Sequence, residues 1–432
     1  MSSNNCTTTI KAISTLISRG VTPAYTETNG ILVINQKCIR NGVVDFSLAR
    51  RTDTQKKKVS DEKILQKYDV VVNSTGVGTL GRVGQIWDLP EKITADSHVT
   101  IVRPDSTLVH PIFFGYVLKR LQPSIEAMGE GSTGQTELSR EKLGAITIVL
   151  PDLDDQNEAA QLLKSIDDRI TLLRETNKTL EAIAQAIFKS WFIDFDPVRA
   201  KMEGRAPAGM DEETAALFPD ELVESELGLV PKGWKVGVIG DLFALNKGTI
   251  NPLRNPDVLY EHYSLPAFDQ GQMPEVEMGV DIKSNKTSIN SKCVLLSKLN
   301  PHIPRVWLPS RVNSNSICST EFLPLMSRLT TSTSFVYAFL SSDIFINSLG
   351  QYTTGTSNSH QRIKPDVLLT EKALVPDLSV LVAYEKIADC LHERLKVARE
   401  QCSTLTKIRD AVLPRLISGK LRLTDDELEA QT

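Results

Sequence analysis

Gly76-Val77-Gly78-Thr79-Leu80-Gly81 is the stretch of this chain that most looks like a chemical motif. It is a literal GxGxxG placed directly after the apolar run Val70–Val72, with Asp96 further on. In a dinucleotide site such glycines let the backbone approach a pyrophosphate, which the N-terminus of the following helix then binds. Here the next residues are RVGQIWDLPEK, with Gly84 and Pro90 where that helix would run. The glycines therefore point to a loop that needs positive φ, or to close backbone approach by a partner, rather than to a nucleotide. His98, His110, His262, His302, His360 and His392 show neither HExxH nor paired metal spacing. The chain contains no GxxxxGK[ST], no GxSxG, no Pro-Pro and no Glu-x-Lys. The signatures of ATP binding, acyl transfer, amino-methylation and restriction nucleases are thus missing. The expectation is a binding protein with no catalytic residue, no metal and no cofactor of its own.

The residues that could bind are basic and small polar ones. Arg50, Arg51, Lys56, Lys57, Lys58 and Arg82 lie among Ser74, Thr75 and Gly78, and a second set holds Lys283, Lys286, Lys292, Ser297, Lys298, Arg305 and Arg311. Lys and Arg neutralise phosphates, while Ser, Thr, Asn, Gln and Arg can read base edges. Two small-polar loops join the candidates: Gly131–Gln135, with Ser132, Thr133 and Gln135, and Gly355–His360, with Ser357, Asn358 and His360. Each candidate also has a plainer explanation. Lys56–Lys58 could be a solvated loop, Arg82 and Arg305 could serve structural salt bridges, and the two loops could be turns that launch the next strand.

What positions these residues is a tandem duplication. Pro151 and Pro376 open segments that align without a gap at an offset of 225, placing Ile166 on Leu391, Ile170 on Leu395, Leu180 on Leu405, Ile183 on Ile408 and Trp191 on Leu416. Upstream, an offset of 223 places Ser74 on Ser297 and Arg82 on Arg305, and Lys298–Val306, the counterpart of the glycine motif, has no glycine. Within each aligned segment apolar residues alternate at steps of four and three, from Ile166 through Leu173, Ala184 and Ile187 to Trp191, and from Leu391 through Ala398 and Val412 to Leu416. That is a coiled-coil seam, with Asn177 and Arg409 as polar members that could fix register. A helix from Asp152 to Phe192 would be about 60 Å long and could not bury its stripe alone. The two copies are the obvious partners for each other, with pairing between molecules as the alternative.

The globular blocks read as mixed α/β. Ile31–Ile34, Val70–Val72, Ala145–Leu150, Val294–Leu296 and Ala373–Val375 look like strands, and Pro111–Arg120 and Ser334–Asn347 look like helices. The expected architecture is two similar globular domains joined by two long helices in an antiparallel spine. In numbers, 1–150 forms the first domain, 151–196 the first helix, 197–231 an acidic linker with at most a short helix at Glu212–Leu217, 232–375 the second domain, 376–423 the second helix and 424–432 an acidic tail.

Composition sets the outer limits. The 432 residues are 41% apolar and 24% charged, which excludes wholesale disorder, and six scattered cysteines without a CxxC suggest reduced thiols in a cytoplasmic protein. No apolar run approaches the roughly 20 residues that span a bilayer, and MSSNNCTTTIKA does not look like a signal peptide. The net charge of −4 hides an uneven distribution. Residues 1–150 carry 18 Lys+Arg against 14 Asp+Glu and residues 232–375 carry 14 against 11, while residues 151–231 carry 8 against 18. Two mildly basic blocks flank an acidic stretch, an arrangement that suits a two-headed nucleic-acid binder.

These residues resemble the specificity subunits of type I restriction–modification enzymes. KSWFIDFDPVRAKMEG (Lys189–Gly204) and FPDELVESELGLVPKGWKVGVIGDL (Phe218–Leu242) are similar to that family's middle region. VINQKCIRNGVVD (Val33–Asp45) looks like the opening of a first target-recognition domain, and LPRLISGKLRL (Leu413–Leu423) like the end of its second helix. The first half departs from the pattern, since it shows no counterpart of Gly228–Leu242. The resemblance implies that each domain reads one half of a bipartite double-stranded DNA site while the paired helices set the spacer. It also implies two modification subunits that supply S-adenosylmethionine and adenine methylation, and restriction subunits that supply ATP- and Mg-dependent translocation. Trp191, Phe192 and Phe195 would be contacts for a modification subunit, or simply helix packing. A stand-alone DNA-binding regulator and a coiled-coil adaptor without DNA remain as rival readings. The regulator predicts specific binding by the purified chain alone; the adaptor predicts no salt-dependent DNA affinity.

Overall fold

The computed structural model describes residues 6–129, 137–354 and 361–423. The chain divides into two compact units, one of residues 1–168 with 406–432 and one of residues 169–405.

The first unit is built on two four-stranded sheets. One runs in the order Ser14–Arg19, Val99–Pro104, Val70–Asn73, Val83–Gln85, with all neighbours antiparallel. Of its central strands, Val70–Asn73 is fully buried and Val99–Pro104 is buried as far as Val102, as expected where both faces of a sheet are covered. Helix Pro111–Ala127, with proline in its first turn where no N–H partner is needed, packs Phe113, Phe114, Val117 and Leu118 into the same core as Val70, Val72 and Val102. The second sheet, Ile93–Ala95, Ile31–Ile34, Arg50–Thr52, Tyr25–Thr26, contains one parallel pair, Ile93–Ala95 with Ile31–Ile34.

The second unit repeats the first sheet strand for strand as Phe243–Leu245, Phe322–Ser327, Val294–Ser297, Val306–Trp307. Its other sheet has five strands, Thr249–Ile250, Lys286–Ser288, Ser316–Cys318, Leu259–Tyr263, Glu275–Met278, again with one parallel pair. The duplication is therefore conserved in the central sheet and divergent in the flanking one. The region expected as one helix, Ser334–Asn347, is two, Ser334–Ser341 and Asp343–Ser348, because extended Ser342 caps the second by accepting from the Phe345 N–H.

The first half does contain part of the segment that seemed to be missing. Strand Cys6–Thr9 pairs with Thr147–Leu150, as Lys235–Val238 pairs with Lys372–Val375, and each first strand is followed by one helical turn, Lys11–Ile13 and Ile239–Leu242. Only Ile10 and Ile13 keep the buried apolar pattern, so sequence comparison had little to match.

Two helices of 40 residues, Leu153–Phe192 and Leu378–Ile417, occupy the two stretches expected to be long helices. In the first unit Asp155 meets Arg422 at 3.1 Å and Asp167 meets Arg409 at 2.7 Å, and Leu163 shares a core with Leu413 and Leu416. In the second unit the Cys402 thiol donates to the Ile170 carbonyl at 3.7 Å and Arg399 pairs with Glu181 at 2.6 Å. Within each unit the partner number falls along one helix as it rises along the other, so the two run antiparallel.

The stretch expected as a linker is folded. Helix Asp196–Met202 and hairpin Leu222–Ser225/Gly228–Pro231 accompany the short helix Glu212–Ala216. Val198 and Phe218 belong to the core of the second unit. Its abundance of acids and glycines masked these few anchoring apolar residues.

Candidate nucleic-acid interface

In the first unit the chain leaves the central strand at Ser74 and returns into Val83–Gln85. Gly76, Gly78 and Gly81 take φ of +101°, +73° and +82°, which L side chains rarely adopt. At Gly81 a Cβ would also lie 2.7 Å from the Glu126 Cα, so space as well as φ requires glycine there. A strand follows rather than a helix, and the motif is a tight connection between paired strands, as its proline and glycine context suggested. The loop is tied to the chain that resumes at Glu137: Thr75 bridges Glu137, and the Leu138 N–H donates to the Ser74 carbonyl at 2.8 Å. The second unit repeats this joint. Leu299 bridges Arg362, and the Ile363 N–H donates to the Lys298 carbonyl at 3.0 Å. In both units, then, the strand-connecting loop lies beside the residues that follow a small-polar loop. Ser132, Thr133, Gln135, Ser357, Asn358 and His360, the candidates within those small-polar loops, lie outside the described residues.

The joint also corrects the alignment by one residue. The Asn73 N–H donates to the Arg82 carbonyl and the Ser297 N–H to the Arg305 carbonyl, each at 2.9 Å. Arg82 and Arg305 are equivalent, as aligned, but the counterpart of Ser297 is Asn73 and that of Ser74 is Lys298. The first loop is one residue longer, which a constant offset cannot register.

Several candidates are structural. Ser74 is fully buried, its hydroxyl 2.6 Å from that of Thr100, and Ser297 is buried with its hydroxyl donating to the Leu299 carbonyl. Lys286 is 7% exposed, donates to Ser284 Oγ at 2.6 Å, and burial lowers its pKa. Arg305 makes two 2.8 Å hydrogen bonds to Asp269, which hold that carboxyl below its usual range, and Arg51 grips Glu91 and the Gly30 carbonyl. Lys283 donates to the Val280 carbonyl. Trp191, Phe192 and Phe195 are largely buried, as the helix-packing alternative expects, and Phe192 and Phe195 line a pocket of the second unit. They are 4%, 9% and 8% exposed and pack against Phe218, Tyr384, Phe335 and Trp234. Seam-spaced aromatics beside an apolar block were core residues.

Other candidates keep surface and donors. Arg82 is half-buried and donates to the Gly78 carbonyl at 2.8 Å; Gly78 faces open space. Lys57 is exposed, Lys298 half-buried, and Arg50 is exposed with its guanidinium 3.7 Å above the Tyr25 ring. Thr75 sits in a polar cluster absent from the sequence reading. Its hydroxyl meets His98 Nδ1 at 2.8 Å, Gln36 Nε2 donates to its carbonyl at 2.7 Å, and Arg19 Nη2 reaches Glu137 at 2.8 Å and the Leu138 carbonyl at 2.9 Å. At the matching place of the second unit Arg362 pairs with Glu321 at 3.1 Å. Gln36 opens a short helical turn, Thr75 lies in the loop after strand Val70–Asn73 and His98 in the turn before strand Val99–Pro104, so no local spacing could have joined them. Gln, Thr, His and Arg at a strand end offer the mixture of donors and acceptors that reads base edges.

Residues 10–182 match the family model described as the type I restriction modification DNA specificity domain. The HindI specificity subunit of a type I restriction enzyme from Haemophilus influenzae is 23% identical, the match covering 83% of this chain and 88% of that protein. The MjaIX specificity subunit from Methanocaldococcus jannaschii is 25% identical over 75% of this chain and 72% of its own. The crystal structure of a type I restriction-modification system S subunit from M. genitalium superposes with a TM-score of 0.57 at 15% identity, covering 96% of each chain, which shows a shared fold.

Proposed function

We propose that the chain belongs to the family of type I restriction–modification specificity subunits and is the subunit through which such a complex recognises its DNA. Each globular domain reads one half of a bipartite double-stranded site, and the antiparallel helices fix the unread spacer between the halves. The chain carries no catalytic group. Two modification subunits bring S-adenosylmethionine and methylate adenine, and restriction subunits bring ATP, Mg and translocation. The work is cytoplasmic; among the described residues no helix is long and apolar enough to cross a membrane.

The observation that carries this reading is the repeated joint. Twice, a central buried strand ends in a loop bonded to the residues that follow a small-polar loop, Ser74 with Leu138 and Lys298 with Ile363. Duplicated scaffolds that differ in the side chains at one end suit a protein that reads two different sequences by one geometry. Among the described residues, Arg50, Lys57, Thr75 and Arg82 in the first domain, with Lys298 in the second, are sequence-derived candidates that keep surface for phosphate or base contacts. The modest basic excess of each domain suggests that partner subunits supply much of the phosphate grip.

Exchanging residues 1–150 for those of another family member tests the assignment. The methylated motif should change in one half-site only, and a change in both halves would defeat the modular reading.

A further inference from the structure

Several guanidinium groups of the two domains are held by carboxylates: Arg51 by Glu91, Arg103 by Asp69, Arg305 by Asp269, Arg362 by Glu321. Arg50 is held differently. Its guanidinium carbon lies 3.7 Å from the centroid of the Tyr25 ring, a stacking distance, and its side chain is exposed. Tyr25 is itself 42% exposed and lies on Tyr25–Thr26, the outermost strand of its sheet. The ring face holds the guanidinium without occupying any of its five N–H donors. The same stretch of chain carries more exposed cations: Lys56, Lys57 and Lys58 follow the Arg50–Thr52 strand after Asp53, Thr54 and Gln55. Of these, Lys56 has Asp53 at 4.0 Å.

A planar fork held over a ring rather than by a carboxylate, on a stretch of chain that also carries phosphate-seeking lysines, has one well-matched target in duplex DNA. Guanine presents O6 and N7 side by side in the major groove, and paired N–H donors in one plane satisfy both. We infer that Arg50, held by Tyr25, is a base-reading side chain of the first domain and selects a G·C pair in one half-site. This rests on the reading of the chain as a DNA-recognition subunit. It goes further by naming the residue, its positioning partner and the base. Arg51 points to the same conclusion from the other side, since its forked bond to Glu91 leaves its neighbour as the available one.

The flanking sheet is also where the two units differ. In the second unit the outermost strand Glu275–Met278 takes the edge beside the parallel pair, and it carries Glu275 and Glu277 instead of a stacked arginine. The selection is thus expected in one half-site and not in the other.

The test uses the assembled complex with its modification subunits and measures competition among duplexes carrying each base pair at every position of the site. Arg50→Ala should lower discrimination at one G·C position by roughly 5- to 150-fold while the other half-site is read unchanged. Tyr25→Ala should lose discrimination at the same position, and Tyr25→Phe, which keeps the ring, should retain it. Arg50→Lys keeps the charge without the planar fork, so it should retain the salt dependence of binding and lose the discrimination. A uniform loss of affinity on all duplexes with Arg50→Ala would mark a phosphate contact and overturn the inference, as would unchanged discrimination. Either result leaves the DNA-recognition reading standing. A parent complex that prefers no sequence would sink both. The unaltered second half-site reports that each variant is folded.

Discussion

Glu385 offers a quantitative test of how the second long helix is held. It is 6% exposed, and its Oε1 accepts a hydrogen bond from Thr330 Oγ1 at 2.6 Å. Burial, reinforced by the charge of Asp389, pushes its pKa from 4.5 up to about 7, although the Thr330 hydroxyl pulls the other way. Asp389 is occupied in turn by the hydroxyls of Ser332 and Ser334, so the helix meets the second domain through a polar ladder. A carboxyl that holds its proton more tightly folded than unfolded contributes stability below the unfolded pKa and loses it as pH rises through the folded one. At about 1.4 kcal/mol per pKa unit, the loss between pH 4.5 and 7 amounts to about 3 kcal/mol. Glu385→Gln keeps an acceptor for Thr330 and removes the titration. The variant should therefore match the parent near pH 4 and gain steadily from there to about pH 7. By pH 8 the calorimetric transition of the second unit should rise by roughly 6–12 °C. A difference between variant and parent that stays constant from pH 5 to pH 8 would refute the reasoning.

Three further outcomes follow from the packing. Trp191→Ala should destabilise the second unit by about 3–5 kcal/mol in denaturant unfolding, since the side chain is a core residue wedged against Phe218 and Tyr384. A stable variant with weakened partner binding would restore the docking role. Ser74→Ala breaks the buried bond to Thr100 and should cost on the order of 1 kcal/mol of stability without altering sequence preference; altered preference in the folded variant would contradict its placement inside the sheet. Inserting one heptad within Ile166–Trp191 lengthens the helix by about 10 Å and should change the spacer of the methylated motif, whereas an unchanged spacer would remove the ruler role.

Much of this architecture was legible in the sequence because the relevant signals are periodic or repeated. The seam from Ile166 to Trp191 and its copy mark both long helices, and buried Val-rich runs mark the central strands. The pairing of Arg82 with Arg305 survived because it lies just past a strand. What escaped depends on tertiary context. Ser74 and Thr75 are adjacent and chemically alike, yet one points into the sheet towards Thr100 and the other meets His98 and Gln36 at its end. Strand register decides that, and a one-residue loop difference moved it. Arg50 and Arg51 were equally plausible as contacts, and only the positions of Glu91 and Tyr25, distant in sequence, separate them. The folded segment 197–231 was obscured because its anchors, Val198 and Phe218, are few among many charges.

The central claim, that this chain supplies sequence specificity to a modification complex, is tested most directly by mapping methylated adenines in the genomic DNA of cells that carry the modification subunits, with and without the chain. The account predicts one bipartite motif, two short specified halves around a fixed unspecified spacer, present only when the chain is present. The same methylation without the chain, or a continuous motif with no spacer, would contradict it.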